Sequence, residues 1–235
     1  MQKRGRMKAF KQENMSICII LAALLLCLIL SVLGAIGSED DATEAAARPQ
    51  LEEDPLLLLV NAEHPLPQRY RITPRLSGDE VVDIRMYRNL VAMFDAAAKE
   101  DVWFWVISGY RSTRQQEIIF EREVQKNQQA GMGLEEAVTD ALRTVQRPGY
   151  SEHQTGLAVD LNDVSDDFEE SEAYRWLCLH AAEYGFIQRY RPEKSALTGI
   201  DKESWHFRYV GKEHAKAITE LGLCLEEYVD SMKNP

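Results

Sequence analysis

The chain has 235 residues, 45% of them hydrophobic, and a formal net charge of −11. That is enough apolar content to bury one sizeable core and, at roughly 100–200 residues per domain, enough length for one domain with extra segments. Because five of its cations sit before Gln12, the remainder is more acidic still, which excludes nucleic acid as a partner, since that binding rests on phosphate neutralisation by Lys and Arg.

No charged residue occurs from Asn14 to Ser38, and residues 17–36 are almost wholly apolar. A run of that length matches the ~20 residues needed to cross a hydrocarbon core of about 30 Å. The sequence therefore predicts a cytoplasmic tail over residues 1–14 and a single transmembrane signal-anchor over residues 15–37. Lys3, Arg4, Arg6, Lys8 and Lys11 precede it, while Glu39, Asp40, Asp41 and Glu44 follow. This asymmetry puts the amino terminus inside the cell membrane and the bulk outside. The alternative is a signal peptide cleaved near Ala35-Ile36-Gly37, which also exports the domain. Residues 38–55, rich in Glu, Asp and Ala, read as an acidic extracellular stalk, and residues 56–235 as the folded domain.

Within that domain, Leu56 to Val60, closed by Asn61, predicts a short buried strand. Met86, Leu90, Phe94 and Ala97 recur at helical spacing in a segment covering residues 81–99. Residues 102–108, with Trp103, Phe104, Trp105 and Val106, predict a strand whose aromatics are read as core. Ser112 can cap a helix running to about Gln129, and residues 134–145 predict another after the Gly131-Met132-Gly133 break. His153 falls on a loop and Asp160 on a strand over residues 157–161. A helix over residues 173–184, started by Ser171 and ended by Gly185, precedes a strand over residues 186–190. From Trp205 to Val210 a period of two puts His206, Arg208 and Val210 on one face and the aromatics on the other, the core side. Two helices separated by Gly222 close the chain. Strands and helices do not alternate regularly, so the expected class is α+β.

Three residues carry the chemistry of a metal site. His153 and, seven positions on, Asp160 offer a nitrogen and an oxygen donor; His206 offers a second imidazole. Together they make the three protein ligands that a catalytic Zn²⁺ takes while keeping a fourth position for water. Glu203, three residues before His206, is placed to act as general base. His64, His180 and His214 lack such a setting and read as structural or surface residues, and Asp201 and Lys202 as surface charges. Cys178 and Cys224 read as small buried hydrophobes, with a disulfide between them left open as an alternative.

The pattern Ser151-x-His153-x-x-Gly156-x-Ala158-x-Asp160, followed by Glu203-x-Trp205-His206 and preceded by Ser108-Gly109-Tyr110-Arg111-Ser112, resembles the VanY-like zinc D-alanyl-D-alanine carboxypeptidases. Leu59-Val60-Asn61, Tyr184-Gly185-Phe186, Leu197-Thr198-Gly199 and residues 205–211 are similar to further landmarks of that family, in its order. One departure is Ser204, where the family usually has proline. The resemblance implies a small, mostly antiparallel sheet holding the zinc, with helices packed around it. It implies roles in substrate binding for Arg111, Gln116 and Ser151, with Arg111 gripping a carboxylate or a developing oxyanion. The implied substrates are peptidoglycan stem peptides, from which the enzyme would remove the terminal D-alanine. Alternatives are an L,D-carboxypeptidase on tetrapeptide stems and a non-catalytic wall-binding module. Nothing in the sequence points to a protein partner.

Overall fold

A computed structural model describes residues 54–233. The predicted tail, membrane anchor and nearly all of the stalk lie outside them, and among the described residues no helix is long and apolar enough to cross a membrane. A β-hairpin comes first: β1 (Pro74–Ser77) pairs antiparallel with β2 (Glu80–Asp83). It leads directly into α1 (Ile84–Ala98), which starts three residues later than its periodicity predicts because β2 takes the preceding residues. Asp83 caps α1, its carboxylate accepting from Arg85 N at 2.9 Å. Then follow β3 (Val106–Ser108), α2 (Thr113–Gln129) and α3 (Leu134–Ala141). Ser112 starts α2 through a capping box with Gln115, as its position predicts. The remaining elements are β4 (Ala158–Leu161), α4 (Glu172–His180), β5 (Phe186–Tyr190), α5 (Ser195–Thr198), β6 (Glu203–Tyr209), α6 (Lys212–Leu221) and α7 (Leu225–Lys233). The architecture is α+β.

The second sheet is antiparallel throughout, in the order β3-β4-β6-β5. One face of it, with Val159, Leu161, Phe186, Phe207 and Tyr209, packs on the α1 stripe of Met86, Leu90, Met93 and Ala97. Burying each of the larger side chains contributes about 1.5–3 kcal/mol. A second cluster joins Ile187 and Val210 to Ala215, Ile218 and Leu225 from α6 and α7, so strand β6 is buried on both faces rather than on its aromatic side alone.

Three expectations fail here. Leu56 to Val60 is no strand: Pro55–Leu57 forms a 3₁₀ turn capped by Asp54, and Arg208 Nη2 donates to Leu56 O and Leu58 O at 3.1 and 2.9 Å. With their carbonyls satisfied by a side chain, these residues need no ladder. The aromatic strand is also shorter than predicted, and only Phe104 of its cluster joins the core, against Phe94 and Trp176. Trp103 and Trp105 are 65% and 55% exposed. Both described cysteines are free, Cys224 buried and Cys178 exposed.

Candidate metal centre and its surroundings

Strands β4 and β6 lie side by side with Asp160 directly opposite His206, which is why ligands 46 positions apart in sequence meet. His153 arrives from the 3₁₀ turn Glu152–Thr155, closed by Gly156 at φ +67. At that position a side chain would also press on Asp83, so glycine serves both the turn and the packing. One ligand atom from each of His153, Asp160 and His206 lies within 4.8 Å of the others, and all three residues are buried.

Hydrogen bonds on the far side of each ring fix which nitrogen faces inward. The carbonyl of Gly109 can only accept, so His153 donates to it from Nδ1 at 2.7 Å, leaving Nε2 toward Asp160 Oδ2 at 3.3 Å. Gly109 itself cannot carry a side chain, because a Cβ would meet Val81 O at 2.3 Å. His206 donates from Nε2 to Glu152 Oε2 at 3.4 Å and turns Nδ1 toward Asp160 Oδ1 at 3.0 Å. These inner separations approach the roughly 3.3–3.4 Å edge of a tetrahedron with bonds of about 2.0–2.1 Å. A small dication therefore fits the donor set, with two imidazole nitrogens and one carboxylate converging and each imidazole held by a partner behind it.

Electrostatics agree with that fit. Burial and the neighbouring Arg111 guanidinium hold His153 below its usual range, hence neutral. Burial also disfavours charge on His206, but its hydrogen bonds to Asp160 and Glu152 prevail and push it up to about 9.

Glu203 Oε2 lies 3.6 Å from His206 Nδ1. Burial, reinforced by the charges of Asp160 and Glu152, pushes this carboxyl up to about 8 against the opposing pull of His206 and Arg111. Arg111 is placed by its own chain: its Nε donates to Ser108 Oγ and its Nη2 to Asp160 Oδ2, each at 2.9 Å. The three ligands, Glu203 and Arg111, with Gln116 and Ser151, line one cavity of about 510 Å³. Gln116 is not on the helix surface: it is 1% exposed and donates from Nε2 to Gln146 O at 2.6 Å. Its Oε1, like that of Gln146, is buried without a protein partner. Both residues line the cavity. Ser204, which stands where the family usually has proline, is buried within β6.

The sequence reading missed what stands behind His206. Glu152, fully buried, accepts from Arg189 Nε at 2.8 Å and lies 3.1 Å from Arg208 Nη1. Arg189 in turn makes a bidentate pair with Glu226 of α7, at 2.9 and 2.6 Å. Only the placement of Arg208 on the His206 face hinted that a buried guanidinium there needed a carboxylate.

An antiparallel sheet that converges two imidazoles and a carboxylate beside a second, buried carboxylate defines a mononuclear metal centre of hydrolytic type. A model of the D-alanyl-D-alanine carboxypeptidase (VanY) family matches residues 79–212. A D-alanyl-D-alanine carboxypeptidase of Enterococcus faecalis is 41% identical over 202 residues, 85% of this chain and 75% of that protein. The solved structure of VanYB in complex with D-alanine-D-alanine is 43% identical, with a TM-score of 0.69, covering 74% of this chain and 97% of the other. A VanY D,D-pentapeptidase mutant holding Zn(II) scores the same, covering 74% and 99%. The LdcB LD-carboxypeptidase is similar at 33% identity and a TM-score of 0.63, covering 76% and 88%. The chain belongs to the VanY family of D-alanyl-D-alanine carboxypeptidases.

Proposed function

We propose that this protein is a zinc-dependent carboxypeptidase that removes the terminal D-alanine from peptidoglycan stem peptides. The observation that carries the reading is the convergence of His153 Nε2, Asp160 and His206 Nδ1 with the Glu203 carboxylate 3.6 Å from that nitrogen. His153, Asp160 and His206 would hold the ion. When bound, zinc supplies a Lewis acid and a water acidified to near neutral pH.

The chain's own groups do the rest. Glu203 takes a proton from the attacking water and returns it to the departing amine. Arg111, whose guanidinium stands at Asp160 with Nη1 left over, meets the negative charge of the substrate, whether its terminal carboxylate or the oxyanion that forms at the scissile carbonyl. Gln116 and Ser151 contact the substrate from the cavity wall that they line with Gln146, Ser151 beside His153. Greater similarity to VanYB and the VanY D,D-pentapeptidase than to LdcB supports D,D-specificity over the L,D alternative. An idle wall-binding module would have no use for an intact base and a complete ligand set.

Digestion of purified muropeptides, read by mass spectrometry, tests the reading: pentapeptide stems should lose one alanine. Trimming of tetrapeptide stems alone would move the specificity to L,D. The wild type should carry about one zinc per chain and His206→Ala should lose it, by metal analysis, because two protein ligands hold the ion poorly. Stoichiometric zinc in a His153→Ala/His206→Ala double variant would put the site elsewhere.

The apolar run over residues 17–36 and its charge flanks support a single-pass anchor with the enzyme outside the cell. Protease added to intact cells should then shave off the domain and leave a small membrane-bound fragment. Recovery of the whole chain from the medium, starting near Gly37, would show a cleaved signal instead.

A further inference from the structure

We infer that Trp103 and Trp105 form a platform for the glycan strand to which the stem peptide is attached, an inference that rests on the proposed substrate. The two indoles are among the most exposed large hydrophobic side chains of the described residues, at 65% and 55%. Their face follows from strand parity. Val106 is paired directly with Leu161 and packs against the main core, as does Phe104. Exposure alternates along residues 103–106, Trp103 and Trp105 being exposed and Phe104 and Val106 half-buried, so the two indoles project away from the core, to the side of the sheet that Asp160 shares while Leu161 faces the core.

The segment is held although it lies outside the ladder. Asn162, in the left-handed region at φ 59, donates from Nδ2 to Trp103 O at 2.9 Å and accepts from Trp105 N at 3.0 Å. Its own N–H donates to Trp105 O at 3.1 Å. Two residues further on, Val164 lines the cavity of the metal centre, so the platform and the cavity are joined by one short loop.

Reach and charge select the occupant. Ser108, which holds Arg111, lies three residues from Trp105 and five from Trp103, or about 10 and 17 Å at roughly 3.3 Å per residue. Four residues precede the last peptide bond of a pentapeptide stem and span about 13 Å when extended, so a stem with that bond at the metal ligands brings the sugar at its other end into the range of the tryptophans. Residues 99–105 and 162–170 hold seven carboxylates and a single lysine. Such a surround repels anionic lipid and leaves uncharged N-acetylated hexosamines unaffected, while indole faces suit the apolar faces of pyranose rings.

The test compares the full-length chain in detergent with W103A/W105A on two substrates, a free pentapeptide and the same stem on a glycan of several disaccharides. The wild type should show a higher kcat/KM on the glycan-bearing stem, and the double variant should lose that advantage by about tenfold while keeping its rate on the free peptide. W103F/W105F, which keeps aromatic faces, should retain most of it. Calorimetric titration with a peptide-free N-acetylglucosamine hexamer gives a readout without catalysis: wild type binds and W103A/W105A binds at least about tenfold more weakly. If the wild type cleaves neither substrate the proposed reaction fails, and the hexamer titration still decides the platform. A glycan advantage that survives in W103A/W105A, equal losses on both substrates, or unchanged hexamer binding overturns the inference. So does an emission blue shift on reconstitution into phosphatidylglycerol vesicles that W103F/W105F abolishes, which would assign the pair to lipid.

Discussion

Glu203→Gln is expected to leave the zinc content unchanged and to lower kcat by at least the roughly 10²–10⁴-fold typical of general acid–base catalysis. The substitution keeps size and hydrogen bonding and removes only the capacity to take a proton. Glu203 is well suited to that test because it is buried beside His206 without being one of the three converging ligands. Burial pushes its carboxyl up to about 8. A dication held at His206 opposes that shift and favours the ionised base. Under the proposed mechanism the base is then ready when the metal is bound. Measured kcat and zinc stoichiometry decide together: wild-type turnover by a zinc-loaded Glu203→Gln protein would sink the mechanism, whereas lost turnover with lost zinc would make Glu203 part of metal retention.

The three ligands and Glu203 were legible because their spacing is itself chemical information. A histidine and a carboxylate seven residues apart in an otherwise apolar strand have few uses other than metal binding, and pairing of β4 with β6 does the rest. Helix α2 was legible for a similar local reason, since Ser112 and Gln115 satisfy the free N–H groups of its first turn without outside help. What could not be read depends on partners distant in sequence. The run from Leu56 to Val60 looks like a strand until Arg208 takes two of its carbonyls. Trp103 and Trp105 look like core because aromatic content reports hydrophobicity and says nothing about which face of a short edge segment is covered. Glu152, adjacent to His153, was invisible for the same reason: its meaning lies in guanidiniums from β5 and β6.

Glu152→Gln is accordingly expected to have two effects of separate origin. The first is on stability. Arg189 and Arg208 are fully buried with Glu152 between them, and removing one partner of a buried ion pair typically costs about 3–5 kcal/mol. Glu226 still neutralises Arg189 by its bidentate pair, so the uncompensated charge falls chiefly on Arg208. The second is on the metal. Glu152 receives His206 Nε2–H and so presents Nδ1 to the ion; losing such a partner commonly lowers metal affinity by about 10–100-fold. Adding Arg208→Met separates the two. Removing the stranded guanidinium should recover part of the lost stability in denaturant unfolding, because the buried charge is gone although Leu56 O and Leu58 O lose their donor. It should recover none of the zinc affinity, measured by competition with a chelator, because nothing in the double variant restores an anionic acceptor behind His206. Recovery of both would mean that Glu152 serves only to neutralise its arginines, with the His206 ring held by packing against Tyr190, whose ring centroid lies 4.8 Å away.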